Sequence, residues 1–213
     1  MSLKLENLLP GYFEKERTTG SEVWGKHLNF SPGEYINIVA PSGSGKTSLI
    51  HFLYGLRSNY LGSIQYNDKS LTGFNGEDYA HLRKETVSVV LQDLRLFPAQ
   101  TVNENLELKR QLTSFHPEAK IAEMATRLGV HSRLDRQAQI CSYGEQQRVA
   151  IIRALLQPFQ YLLLDEPFSH LDRNNSQLAM DLILEECRAR NACIIFADLE
   201  HINIFPATQV LHL

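Results

Sequence analysis

The sequence is sparing with cysteine, with charge of one sign and with long apolar runs, and each scarcity removes a class of function. Three cysteines occur among 213 residues. Cys141, Cys187 and Cys193 form no CxxC pair and no His/Cys cluster at zinc spacing, so they read as small, buried apolar residues of a reducing compartment. A net charge of −3 leaves no basic excess for non-specific binding to a phosphate backbone, and nucleic acid is not favoured as a partner. No uncharged apolar stretch reaches the roughly 18 residues that could span a bilayer, and the opening segment meets charge too soon for a secretory signal. The expected location is cytoplasmic, with any membrane association supplied by a partner. No internal repeat, low-complexity tract or linker interrupts the chain.

What is present suits a packed interior: 43% of residues are apolar, enough for one large domain spanning 1–213. Short apolar runs bounded by turn signals at 35–40, 86–91, 161–164, 193–197 and 209–213 read as buried strands. Helical spacing fills 46–56, 144–156 and 176–190 between several of them. The pattern predicts an α/β core with a mainly parallel sheet, whose ligands bind at the C-terminal ends of the strands. Ahead of and between these elements, 4–33 and 62–68 offer short alternating segments with Gly turns, which predict a small antiparallel sheet. Residues 102–140, rich in Leu, Glu, Arg and Gln, predict a helical insertion.

The strongest local signal is APSGSGKTS at 40–48, directly after the apolar run YINIV and directly before a helical run. Strand, Gly-rich loop and helix in that order form a phosphate-binding loop. Ser42, Gly43, Ser44 and Gly45 are small enough to let consecutive backbone amides, through Ser48, turn around a polyphosphate, aided by the positive end of the helix. Lys46 can reach the terminal phosphates and the Thr47 hydroxyl can coordinate Mg²⁺. The usual pattern opens with Gly, and Ala40 stands there instead. A second constellation, YLLLDEP at 161–167, ends a buried strand in two carboxylates. Asp165 at the strand tip is suited to the Mg²⁺ water shell opposite Thr47, and Glu166 to polarising a water for attack on a γ-phosphate.

The run CSYGEQQRVAIIRAL at 141–155 resembles the signature motif of ABC ATPases, usually Leu-Ser-Gly-Gly-Gln before Gln-Arg and a helix. Its place after the phosphate loop and before the Asp-Glu strand matches the motif order of that family along essentially the whole chain. The resemblance implies a P-loop ATPase fold and ATP with Mg²⁺ as ligands. It also implies roles for single residues. Gln92 is similar to the family's Q-loop glutamine, which touches Mg²⁺ and lies where the membrane subunit docks. Tyr12 resembles the aromatic that stacks on adenine, and 169–172, SHLD, the loop that crosses between subunits. A helix N-terminus preceded by Ser and Gly is an anion site. If it lies too far from its own phosphate loop, it serves ATP held by a second copy. Two chains packed head to tail would then bring Ser142 and the Gly144 amide of one to the γ-phosphate on Lys46 of the other. The implied partners are an integral membrane permease and a second ATPase, as homodimer or heterodimer. The compact length and the run from Gln92 to Leu106, which includes LFPAQTVNENL, look similar to bacterial exporters of the lipoprotein-release and macrolide-efflux group.

Two departures bear on activity. Cys141 and Tyr143 stand where Leu and Gly are usual, and the Tyr adds bulk where backbone approaches nucleotide. The family's His after the next strand is replaced, according to the alignment, by Ala197 or by Asp198. Losing such a donor slows turnover by about 10²- to 10³-fold, so ATP binding with slow hydrolysis is expected unless another group substitutes; His201, a few residues on, needs a loop rearrangement to do so and otherwise reads as a surface residue. The competing reading is a nucleotide-dependent scaffold or regulator on a membrane partner, like the cell-division member of the family.

Overall fold

A computed structural model of the chain describes residues 2–13 and 19–213. Strands β1 (Leu3–Pro10), β2 (His27–Phe30), β4 (Tyr60–Tyr66) and β5 (Lys69–Ser70) form an antiparallel sheet in the order β2-β1-β4-β5. The second sheet is entirely parallel. It orders β6 (Val87–Val90), β7 (Tyr161–Asp165), β8 (Cys193–Asp198), β3 (Tyr35–Val39) and β9 (Gln209–His212) as β6-β7-β8-β3-β9. Helices are α1 (Lys46–Leu53), α2 (Gly76–His81), α3 (Val102–Arg110), α4 (Ala119–Arg127), α5 (Tyr143–Leu155) and α6 (Arg173–Arg190).

The near-continuous apolar runs of the parallel strands follow from burial on both faces. Side chains alternate across a strand, and the alternation divides β7 and β8 between two cores. Tyr161, Leu163, Cys193, Ile195 and Ala197 pack with α1 and the antiparallel sheet. Leu162, Leu164, Ile194 and Phe196 pack with α3, α4, α5 and α6. All three cysteines are free and buried, and burial raises the thiols of Cys187 and Cys193.

The expected α/β core with its antiparallel sheet and the helices of 102–140 are observed. Capping boxes start three of the helices: Asn75 with Asp78 for α2, Thr101 with Glu104 for α3, and Ser142 with Glu145 for α5. One strand differs from expectation. β9 pairs on one side only, with β3, and only Leu211 of its four residues is buried, so it is an exposed edge rather than a buried strand. No helix among the described residues is long and apolar enough to cross a membrane.

Candidate functional site

The loop between β3 and α1 needs a left-handed backbone at two places, Gly43 at φ +80° and Gly45 at φ +104°. At Gly43 a Cβ would meet open space, so conformation alone excludes a side chain there. At Gly45 a Cβ would also come within 3.1 Å of the rings of Phe13 and Trp24. Trp24 supports the loop from beneath, its Nε1–H donating to the Ser44 carbonyl at 3.3 Å. Ala40 lies outside the left-handed region and is buried, with its N–H donating to the Asp198 carbonyl at 3.1 Å. The departure from Gly at that position therefore carries no backbone penalty.

A cavity of about 240 Å³ opens over this loop, lined by Tyr12, Phe13, Ser42, Gly43, Gly45, Lys46, Thr47, Ser48, Gln92 and Glu166. The Lys46 ammonium, only 4% exposed, donates to the carbonyls of Ala40 at 2.8 Å and Pro41 at 3.2 Å. It lies 3.4 Å from Glu166 Oε1. The other Glu166 oxygen accepts from Gln92 Nε2 at 3.1 Å, and Gln92 Oε1 accepts from the Thr47 hydroxyl at 3.4 Å. Glu166 stands at φ +46°, an uncommon conformation for a non-glycine residue, with its N–H held by the Ala197 carbonyl at 2.9 Å. Tyr12 is half exposed at the rim, and its hydroxyl meets Ser48 Oγ at 2.5 Å.

Asp165 ends β7 fully buried, and neither carboxylate oxygen has a hydrogen-bond partner of good geometry. Burial pushes its carboxyl up to about 6, against the stabilising influence of the Thr47 hydroxyl and with further upward pressure from Glu166. Asp198, at the end of β8, is likewise raised by burial, and Glu166 adds to the effect. Lys46 thus sits among three carboxylates from two neighbouring strand ends, an arrangement that favours an additional cation. Among the described residues no group of three or more His, Cys, Asp or Glu could cage a metal alone. Mg²⁺ takes one or two protein ligands and fills its octahedron with phosphate and water. Thr47, Gln92 and the unpartnered Asp165 fit such an ion.

Ser142 and Gly144 do not line this cavity. They open α5, where the Ser142 hydroxyl accepts from Glu145 N–H at 3.3 Å. A Cβ on Gly144 would lie 3.0 Å from the His170 carbonyl, so the glycine permits close approach to 169–172. Within that segment Asp172 caps α6. Ala197 is buried, and Asp198 turns its carboxylate to its neighbour's N–H, accepting from Leu199 at 2.6 Å. His201 does not line the cavity either. Its Nδ1 lies 3.0 Å from Nδ2 of the buried Asn37, which alternation places on the face of β3 opposite Ile36, Ile38 and α1.

Sequence reasoning missed Trp24 beneath the loop and Gln147, whose Nε2 donates to the Glu166 carbonyl at 3.3 Å. Gln147 was visible in the run after the signature, but its role depends on a residue 19 positions away.

The description of the ABC transporter family matches residues 25–169. The chain is 32% identical over 174 residues to the macrolide export ATP-binding/permease protein MacB of Marinobacter nauticus, covering 80% of this chain and 27% of MacB. It thus spans about a quarter of the length of that relative. It is 34% identical over 181 residues to the lipoprotein-releasing system ATP-binding protein LolD of Maricaulis maris, covering 83% of this chain and 79% of LolD. Among solved structures, the dimeric bacterial ABC transporter cassette MJ0796 superposes with a TM-score of 0.85 at 23% identity, covering 99% of this chain and 94% of that one. The same cassette in a post-hydrolysis state bound to ADP and Pi matches equally, with a TM-score of 0.85.

Proposed function

The chain belongs to the ABC transporter family, and from that premise we propose that it is the ATP-binding and hydrolysing subunit of a membrane transporter, working as a head-to-tail pair on an integral membrane permease. The observation that carries the reading is the direct linkage of Lys46, Glu166, Gln92 and Thr47 around one cavity, with the carboxylate of Asp165 buried beside them. Lys46 and the amides of 42–48 bind and orient the phosphates of ATP. Glu166 takes a proton from the attacking water, and Gln92 sets where its carboxylate stands. Thr47, Gln92 and Asp165 would hold Mg²⁺, which would supply charge neutralisation at the phosphate oxygens. Tyr12 at the rim presents a ring face to the adenine. Ser142 and Gly144 lie outside their own chain's cavity, which supports a role toward ATP on the second subunit. The protein would then sit on the inner face of the cell membrane through its permease.

The test is ATP affinity together with steady-state hydrolysis, for the chain and for Glu166→Gln. General-base catalysis contributes about 10²- to 10⁴-fold, so the variant should bind ATP within about threefold of the parent while hydrolysis falls by that factor. Failure to bind ATP at millimolar concentration, or an undiminished rate in the variant, would refute the assignment. Tight binding with no hydrolysis in either form supports the scaffold or regulator reading, which the position of His201, held on the far face of β3, favours.

A further inference from the structure

Where the resemblance leads one to expect glycine, α5 carries Tyr143, and its side chain folds back onto its own chain. The hydroxyl donates to the Gln92 carbonyl at 2.9 Å. The ring lies against His170, with centroids 4.2 Å apart. His170 is fixed in turn, its backbone N–H donating to Gln147 Oε1 at 3.1 Å. Gln147 Nε2 donates to the Glu166 carbonyl at 3.3 Å and to Ser169 Oγ at 3.2 Å. The first turn of α5 therefore touches both segments that carry the proposed chemistry, the one after β6 and the one after β7.

Building on the ATPase reading above, we propose that Tyr143 is a positioning residue. Its hydroxyl ties the first turn of α5 to the backbone of Gln92 within one chain, keeps the Gln92 amide on the Glu166 carboxylate, and so restrains hydrolysis. Gln92 stands between the end of β6 and a turn in which Leu94 and Arg95 both adopt positive φ, +54° and +47°. Arg153, in the last turn of α5, holds the carbonyls of those two residues, with Nη1 2.7 Å from Arg95 O and Nη2 2.5 Å from Leu94 O. Gln92 itself is fastened to α5 by the Tyr143 hydroxyl. With Gln92 on Glu166 Oε2 at 3.1 Å and Lys46 3.4 Å from Oε1, both oxygens of the base are engaged. The Gln92 amide thus occupies the place on Oε2 from which an attacking water would be held. Releasing the Gln92 backbone loosens its amide and frees Oε2.

Tyr143→Phe removes the hydroxyl and leaves the ring on His170, so the fold is retained. Two readouts on the full chain test the proposal: hydrogen exchange of the Leu94 and Phe97 amides, and steady-state hydrolysis with ATP affinity measured alongside. Loss of one neutral hydrogen bond corresponds to about a two- to tenfold change. Exchange and kcat should each rise by that factor. ATP affinity measured in chelator, where the Mg²⁺ role of Gln92 does not enter, should stay within about twofold, because no hydrogen bond or ring contact among the described residues joins Tyr143 to the phosphate loop. Unchanged exchange overturns the tie whatever the rate does. Faster exchange with a rate at or below a measurable parent rate overturns the restraint. Faster exchange when neither protein hydrolyses ATP upholds the tie and refutes the ATPase reading instead.

Discussion

Asp165→Asn should make the chain more stable at pH 7.5 in chelator and without nucleotide, even though it removes a residue assigned to the site. The carboxyl is raised by burial from 3.8 to about 6, roughly two units. At 1.36 kcal/mol per unit, holding the charged form in the fold costs about 3 kcal/mol. The sign follows from proton counting. Between pH 3.8 and 6 the folded state binds more protons at this site than the unfolded chain. Stability therefore falls as pH rises through that window, and the penalty is fully present above about 6. Asparagine carries no charge, but its buried amide lacks a full set of partners, which returns about 1 kcal/mol of the gain. A net gain of about 2 kcal/mol in a chain of this length corresponds to a rise in Tm of about 4 to 8 °C.

Urea titrations of parent and variant at pH 7.5 and at pH 4.5 measure both the size and the sign. The variant's advantage should shrink at the lower pH, where the parent's Asp165 is largely protonated. ATP with Mg²⁺ should then stabilise the parent more than the variant, because the unpartnered oxygens are the ones a cation would satisfy. A variant no more stable than the parent at pH 7.5, or an advantage equal at both pH values, would show that Asp165 is solvated in a way its burial denies.

Two further outcomes test the frame around the site. His201→Ala should leave ATP turnover within about twofold of the parent and lower stability by about 0.5 to 1.5 kcal/mol through loss of its contact with Asn37, read by denaturant unfolding and a coupled ATPase assay. Gly62→Ala should cost about 2 to 4 kcal/mol in the same unfolding assay, because φ is +85° and a Cβ would lie 2.3 Å from the Glu6 carbonyl. Gly73→Ala, with open space at its Cβ, serves as the matched control.

The phosphate loop was legible because its demands are local. A backbone that must turn left-handed at 43 and 45 can be written only with Gly or a few tolerant residues, and a buried strand and helix flank it at fixed offsets. The parallel sheet was legible for a related reason, since burial on both faces writes an uninterrupted apolar run. That rule overreached at 209–213, where the run has the right length and composition but, unlike β6 at the opposite edge, leaves three of its four strand residues exposed. Edge position belongs to the assembled sheet and leaves little trace in four residues.

The parts that were not legible are contacts between segments far apart in the chain. Gln92 meets Glu166 across 74 positions, Tyr143 meets Gln92 across 51, and His201 meets Asn37 across 164. Read from the motif, Tyr143 is bulk pointed at a nucleotide; in the fold its hydroxyl and ring are turned to its own chain. His201, which would need a loop rearrangement to replace the family's His and otherwise reads as a surface residue, is exposed and meets a buried amide on the far side of the sheet. The charge balance of the site has the same origin. The ends of β7 and β8 bring Asp165, Glu166 and Asp198 around a single Lys46, and no stretch of sequence displays that ratio. The parallel topology gathers these groups at one edge, and the resulting deficit of positive charge would favour a divalent cation beside the proposed polyphosphate.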